Sequence, residues 1–212
     1  MRKPTNHSKK AAAFPATIVE DKTDLIHFIQ KTFPVSTDKA VLIADRFKEK
    51  KIAKKEHVFM EGKVCNEFYF LHSGFVWSFT SDSNGNNITT NFYTPQQVVG
   101  EFFSFFKQVP AKENFQALTV CDTWYITFDD LQVAFHSMPE FREFGRSMLV
   151  SAYADLKERM LSMIHYTAEE RYSQLVIHNP DIFKYAPLKN IASYLGITNT
   201  SLSRIRKDFS KK

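Results

Sequence analysis

A short polar and basic segment near the C-terminal end of the chain carries side chains that suit nucleic-acid binding. Residues 198–207 are spaced as one helix on which Leu202 and Ile205 face inward. The candidate DNA-contacting residues are its first residue and its outer face: Thr198, Asn199, Thr200, Ser201, Ser203, Arg204, Arg206 and Lys207. Arginine can pair bidentately with guanine and asparagine with adenine, whereas hydroxyls and lysine suit phosphate oxygens. The segment therefore predicts a helix that reads the major groove of double-stranded DNA.

The residues before this segment supply the elements that would position it. Ile191 and Leu195 lie four residues apart on a first helix, and Ala192 leaves room for close helix approach. Gly196 can adopt the left-handed conformation that reverses the chain, and Thr198 can cap the second helix. This pattern predicts a helix-turn-helix, for which an ordinary helical hairpin with a solvated, charged face is the alternative.

Positive charge is concentrated at both ends of the 212-residue chain, whose formal net charge is +5. Residues 1–13 carry three lysines, one arginine and no acid, and residues 198–212 carry Asp208 as their single acid. Both ends could therefore meet a polyanion. Residues 1–16 also lack apolar periodicity and predict a disordered basic arm, for which a plain solubilising tail is the alternative.

Several other classes of protein are disfavoured by what the sequence lacks. Cys65 and Cys121 are the only cysteines, too few for a cysteine-held zinc or iron–sulfur site, and their scarcity favours the reducing cytoplasm. No apolar run has the length of a signal peptide core or a membrane span, so we expect a cytoplasmic protein without a membrane partner. Phosphate-binding glycine loops, a nucleophile elbow and metal-spaced histidine pairs are missing, which predicts that the chain is not an enzyme.

The stretch from Ile52 to Phe128 predicts a compact antiparallel roll or barrel. Its short apolar and aromatic runs are separated by Gly62, Gly74, Gly85 and Gly100. Such spacing is typical of successive hairpins. Asn84-Gly85, between alternating runs that end near Thr80 and begin near Ile88, predicts one tight turn in particular.

Helices are predicted on both sides of this roll. Apolar spacing from Asp24 to the stop at Pro34 predicts the first, and Ser36 begins a second that ends near Phe47. Pro139 opens an amphipathic helix to about His165, roughly 40 Å long at 1.5 Å per residue, which exceeds what a small roll can cover. Its apolar stripe comprises Leu149, Ala152, Leu156, Met160 and Met163. The stripe could pack on the roll, but its length favours a homodimer interface.

These elements, in this order, resemble the Crp/Fnr family, the cyclic-AMP receptor protein and its relatives, over nearly all of the chain after the arm. The strongest stretch is Ile191 to Arg206. The resemblance implies an α+β fold with a cyclic-nucleotide-binding-type β-roll, a long dimerisation helix and a winged-helix-like C-terminal domain. The implied domains are the arm at 1–16, the sensor roll with flanking helices at 17–138, the dimerisation helix at 139–166 and the helix-turn-helix domain at 167–212.

The resemblance also implies a function and partners. Asn199, Thr200, Ser201 and Arg204 match the family's base-reading and phosphate-touching positions. We therefore expect a transcription regulator that binds DNA as a homodimer, with RNA polymerase and a small-molecule effector as further candidate partners. A ligand-sensing or interaction module without DNA binding is the alternative.

Two departures from the family pattern bear on these expectations. Only residues 208–212 follow the recognition helix, too few for the family's trailing wing. Gly100-Glu101 matches the pair that holds the ribose in family members that bind cyclic nucleotides, but residues 110–118 contain no arginine for the phosphate, and Lys112 is their only cation. Lysine lacks the planar fork that holds two phosphate oxygens.

Gly100, Glu101 and Lys112 are therefore candidate ligand-binding residues for which we expect no tight cyclic-nucleotide binding. No cofactor is predicted, and the identity of an effector stays open. Haem ligation by His72, His136 or Cys65 is also left open, although scattered histidines more often have structural roles.

Overall fold

The computed structural model describes residues 21–210, so the predicted basic arm at 1–16 lies outside the described residues. Two short helices come first, α1 (Thr23–Thr32) and α2 (Thr37–Ala44). They bury Leu25 and Ile29 from α1 and Ile43 from α2. Both predicted N-terminal helices are therefore confirmed.

Eight antiparallel strands follow and form two four-stranded sheets. They are β1 (Lys48–Ile52), β2 (His57–Phe59), β3 (Glu67–Ser73), β4 (Val76–Ser81), β5 (Asn87–Tyr93), β6 (Gln97–Val99), β7 (Asn114–Ala117) and β8 (Cys121–Thr127). One sheet has the order β1-β8-β3-β6 and the other β2-β7-β4-β5. The predicted β-roll is confirmed, and β5 is an edge strand of its sheet.

The connection between β4 and β5 confirms the predicted hairpin. Gly85 has a φ of +78°, the conformation for which glycine suits a turn. Further support comes from Asp82, whose carboxylate accepts hydrogen bonds from the backbone N–H groups of Asn84 and Asn86, both at 2.8 Å. An aspartate that binds the backbone two residues ahead is a common way to hold a turn.

Several boundaries differ from the sequence expectations. The second helix ends at Ala44 rather than near Phe47, and the sheet begins at Lys48 rather than Ile52. The physical reason is non-local: residues 48–52 pair antiparallel with β8, which lies far ahead in the sequence. Two helices within or next to the roll were not predicted, α3 (Phe102–Lys107) and α4 (Phe128–Ser137).

The rest of the described chain is helical. It comprises α5 (Pro139–His165), α6 (Ala168–His178), α7 (Ile182–Tyr185), α8 (Leu188–Tyr194) and α9 (Asn199–Phe209). The long helix predicted from Pro139 to about His165 is confirmed with those bounds. None of the helices in residues 21–210 combines the length and apolar character needed to cross a bilayer.

Two apolar clusters hold the molecule together. The larger lies between the roll, α1, α4 and the first turns of α5, where Phe141 and Phe144 are buried. The second contains Trp77, Phe79 and Phe92 from β4 and β5 together with buried residues of α6 to α9. The second cluster therefore joins the roll to the C-terminal helices.

Candidate nucleic-acid interface

The second helix of the predicted helix-turn-helix, α9, begins with the predicted cap. Thr198 is extended, and its hydroxyl accepts a hydrogen bond from the Ser201 backbone N–H at 3.1 Å. Such a cap satisfies one of the amides that the first turn of a helix leaves unpaired. Leu202 and Ile205 are both buried, as their spacing predicts.

The opposite face of α9 is exposed and positively charged. Its exposed candidate residues are Asn199, Thr200, Ser203, Arg204, Arg206 and Lys207. Ser201 is half-buried and accepts a hydrogen bond from the Thr198 hydroxyl at 3.0 Å. The first turn carries no acid and the last turn carries Arg206 and Lys207. The predicted residues thus share one face of one helix, an arrangement that suits the major groove.

The turn between α8 and α9 is closed by backbone hydrogen bonds between residues close together in the sequence. Gly196 has a φ of +69°, and its N–H binds the Ser193 carbonyl at 3.0 Å. The Ile197 N–H binds the Ala192 carbonyl at 3.0 Å. A left-handed glycine followed by such a bond is a common helix end, and the predicted role of Gly196 is confirmed.

Arg171 on α6 supports this turn, a role that the sequence analysis missed. Its Nε and Nη2 donate to the Leu195 carbonyl at 3.2 and 3.0 Å, and its Nη1 donates to the Tyr166 carbonyl at 2.5 Å. The helix that carries it begins with a capping box formed by Thr167 and Glu170. Hydrogen bonds from Thr167 hold the pKa of Glu170 below its usual value. The threonine and glutamate spacing was visible in the sequence, but the partner of Arg171 was not.

In the roll, Gly100 and Glu101 have structural contacts. A Cβ on Gly100 would lie 1.9 Å from the Phe68 ring, so the ring occupies the space that a side chain would need. The Glu101 carboxylate caps α3, accepting from the Ser104 N–H at 2.5 Å. Burial raises the pKa of Glu101.

The segment that follows α3 presents an acid to the strands around it. Lys112 is exposed, with its Nζ 5.6 Å from the centroid of the Phe103 ring. The neighbouring Glu113 accepts a hydrogen bond from the Thr90 hydroxyl at 2.8 Å, and Thr90 also lies 2.7 Å from the Ser78 hydroxyl. The side chain that meets the hydroxyls of β4 and β5 is therefore a carboxylate rather than a cation.

Known proteins share the order of a sensor-type roll and a C-terminal helical domain described above. The family model described as "Cyclic nucleotide-binding domain" matches residues 49–137. The "Anaerobic regulatory protein" of Haemophilus influenzae is 28% identical over 176 residues, which cover 77% of this chain and 67% of that protein. The "Fumarate and nitrate reduction regulatory protein" of Yersinia pestis is 23% identical over 77% of this chain and 69% of its own length.

Solved structures show the same fold. FixK2 from Bradyrhizobium japonicum has a TM-score of 0.64 at 18% identity, covering 78% of this chain and 85% of that chain. A transcriptional regulator of the Crp/Fnr family from Eubacterium rectale has a TM-score of 0.64 at 14% identity, covering 85% of this chain and 88% of the other. The chain contains a cyclic nucleotide-binding domain over residues 49–137, and it is similar over most of its length to regulators of the Crp/Fnr family.

These similarities confirm the α+β fold class and the prediction of a transcription regulator. Within the Crp/Fnr fold, α8 and α9 form the helix-turn-helix at the C-terminal end of the chain. The individual DNA-contacting residues and the four domain boundaries stay predictions. The cyclic-nucleotide-type roll likewise leaves the nature of an effector untested.

The three candidate haem ligands do not come from one helix or strand. Cys65 is buried, and its desolvation raises the pKa of the thiol to about 11. His72 on β3 lies 3.1 Å from the Asp24 carboxylate, and His136 on α4 lies 2.7 Å from the Gln132 carbonyl. In the part of the chain that the structure describes, no group of three or more potential ligands could hold a metal ion.

Proposed function

We propose that this regulator binds double-stranded DNA as a homodimer, with α9 in the major groove and the β-roll as its sensor. The observation that supports this most is the exposed polar and basic face of α9, set on a capped helix whose other face is buried. Arg204 is assigned to base reading because it lies centrally on this face, and Lys207 is assigned to phosphate contact near its end.

Dimerisation is supported by the apolar side chains of α5. After Gly145 none of its described residues is buried, and Tyr153, Leu156 and Ile164 are 67%, 66% and 67% exposed. A row of large exposed apolar side chains on a long helix typically marks an interaction surface. A second copy of the same helix, related by two-fold symmetry, would cover this face and would set the two α9 helices at a fixed separation.

The remaining partners follow from this role. A DNA-binding regulator of this kind would act in the cytoplasm and not as an enzyme, with RNA polymerase and a small-molecule effector as its further partners. The contacts of Glu101, Lys112 and Glu113 argue against a cyclic nucleotide as that effector, because Glu113 would add negative charge near the phosphate without an arginine to offset it.

A salt titration separates this function from a sensor module that has lost DNA binding. The purified protein is first used to select duplexes from a random-sequence library, and its affinity for the selected duplex is then measured at rising salt. We expect a linear fall of the logarithm of the affinity with the logarithm of the salt concentration, since bound phosphates release counterions. Failure to enrich any duplex, or an affinity that does not change with salt concentration, would favour the sensor module.

A further inference from the structure

Tyr194, the last residue of α8, contacts two other parts of the molecule just before the turn that leads to α9. Its ring centroid lies 5.2 Å from that of Phe92 on β5. The Arg159 guanidinium of α5 lies 3.7 Å from the centroid of the same ring. The Arg159 Nη2 also donates to the Tyr194 carbonyl at 3.4 Å. Tyr194 therefore contacts both the roll and the long helix.

The residues beside Tyr194 make further contacts with the same two elements. The Thr89 N–H, on the edge strand β5, donates to the Ser193 hydroxyl at 2.9 Å. Thr89 is buried and Ser193 is half-buried, so this bond is partly enclosed. On the α5 side, a Cβ on Gly196 would lie 2.6 Å from the Met163 methyl carbon, so α5 also packs closely on the turn.

Apolar packing extends this contact beyond the turn. The aromatic rings of Trp77, Phe79 and Phe92 are buried in the same cluster as Leu195 of the turn. Phe75 of the roll stacks on Tyr185 of α7 at 4.2 Å between ring centroids. The helical domain is thus docked on the roll and does not depend on α5 alone for its orientation.

Docking leaves the candidate DNA-contacting face open, because Asn199, Arg204 and Lys207 are all exposed in the docked arrangement. Fixing the orientation of a binding element before association reduces the freedom that must be lost on binding. In a dimer, the second α9 then meets its half-site at a higher effective concentration once the first is bound. The docked state therefore favours simultaneous binding of two half-sites.

We propose that Tyr194 is a positioning residue that fixes the orientation of α9, through the junction formed by Thr89, Phe92, Arg159, Ser193 and Tyr194. The proposal rests on the proposed function, DNA binding by a homodimer. Its distinctive consequence is that breaking the junction weakens binding to paired half-sites and spares binding to one half-site. A defect in the folding or base contacts of α9 would weaken both.

The test uses the full-length protein and the duplex that the wild type selects from a random library, with a second duplex in which one half-site is scrambled. Phe92→Ala, on the roll side, and Tyr194→Ala should each lower the affinity for the paired duplex by about tenfold or more, with single-site affinity changed by less than about twofold. Tyr194→Phe keeps the ring against Phe92 and Arg159, so it should match the wild type on both duplexes.

Hydrogen exchange on the free protein tests the docking without DNA. Both alanine variants should speed exchange of the Thr89 amide, which donates across the junction to Ser193. The Leu202 amide, bonded to the Thr198 carbonyl within α9, should keep its protection and so report an intact helix-turn-helix. Loss of protection at Leu202 in Tyr194→Ala alone would mean that this substitution disturbs the helix-turn-helix itself. In that case the DNA-binding and exchange results of Phe92→Ala are used to test the proposal.

Unchanged Thr89 exchange in Phe92→Ala, or equal losses on both duplexes with Leu202 still protected, would overturn the proposal. A gain in paired-site affinity would overturn it too, because the docked orientation would then oppose binding. If the wild type selects no duplex, the proposed function fails, whereas Thr89 exchange still reports whether Phe92 and Tyr194 hold the domain on the roll.

Discussion

At the scale of single residues, the exposed face of α9 offers two kinds of cation. Arg204 carries a planar guanidinium that can match two acceptors of one base, whereas Lys207 carries a compact charge that suits phosphate oxygens. Both side chains are exposed. Their substitution should therefore change DNA binding rather than folding.

The first prediction compares these two residues. Arg204→Ala should weaken binding to the selected duplex by roughly 1 to 3 kcal/mol and relax base preference, whereas Lys207→Ala should weaken binding to all sequences about equally. Affinities for the selected duplex and for single-base variants measure the difference. Equal, sequence-independent losses for both substitutions would remove Arg204 from base reading.

The second prediction concerns cyclic AMP, which we expect not to bind tightly. The loss of a bidentate charged pair lowers affinity by about two orders of magnitude or more. Glu113 and Glu101 would add repulsion near the phosphate, and Glu101 already binds the Ser104 amide. Calorimetry on the purified protein provides the test. Micromolar binding abolished by Lys112→Ala would show instead that the lysine replaces the arginine.

At the scale of elements, α5 has two different halves. Its first turns bury Phe141 and Phe144 against the roll, whereas later residues leave large apolar side chains exposed. A helix that stops packing on its own roll but stays apolar needs another partner, because exposed apolar area is costly in water. This change along one helix supports the dimer assignment.

The third prediction tests that assignment with a matched pair of substitutions. Leu156→Glu should convert the dimer to a monomer at micromolar concentration, because an unpaired charge buried in an interface costs several kcal/mol. Ser151→Glu adds the same charge at an exposed position on the opposite side of α5 and should leave the dimer intact. Light scattering measures the mass. A dimer that persists in Leu156→Glu would show that the interface does not include this part of α5.

The fourth prediction concerns the turn of the helix-turn-helix. Gly196→Ala should lower the free energy of unfolding by roughly 1 to 2 kcal/mol, because a side chain at positive φ is strained. Gly85→Ala is the control, since it has a similar φ but no atom within 4 Å of the added carbon. Denaturant unfolding of both variants separates backbone strain from contact with Met163. An unchanged free energy of unfolding in Gly196→Ala would show that the turn does not require glycine at this positive φ.

At the scale of the whole molecule, the second apolar cluster makes the roll and the helical domain depend on each other. Trp77 and Phe92 contribute to it from the sheet, and Ile191 and Leu202 contribute from the helix-turn-helix. Cooperative unfolding is expected where such a cluster crosses between parts of a chain. Dimerisation would add a further contribution that depends on protein concentration.

The fifth prediction follows from this coupling. Thermal unfolding should show one transition, with a midpoint that rises with protein concentration, because association stabilises the folded state by mass action. Leu156→Glu should remove the concentration dependence and keep the single transition. Calorimetry at several concentrations provides the measurement, and two separate transitions in the wild type would show that the roll and the helical domain unfold independently.

The sequence by itself determined the local features of this protein. The cap at Thr198, the left-handed Gly196 and the inward Leu202 and Ile205 depend on neighbours within a few residues, so residue type and spacing predict them. The bounds of α5 follow for the same reason from Pro139 and from helical periodicity.

Only the tertiary structure decided which distant residues meet. The pairing of residues 48–52 with β8, the inward Glu113 beside the exposed Lys112, and the docking of Tyr194 on Phe92 join parts of the chain that no spacing rule connects. Contacts of this kind depend on how the sheets pack and on which strand edge stays open. Such long-range contacts leave no periodic pattern in the sequence. The caps and turns that support α9, by contrast, depend on residues close together in the chain.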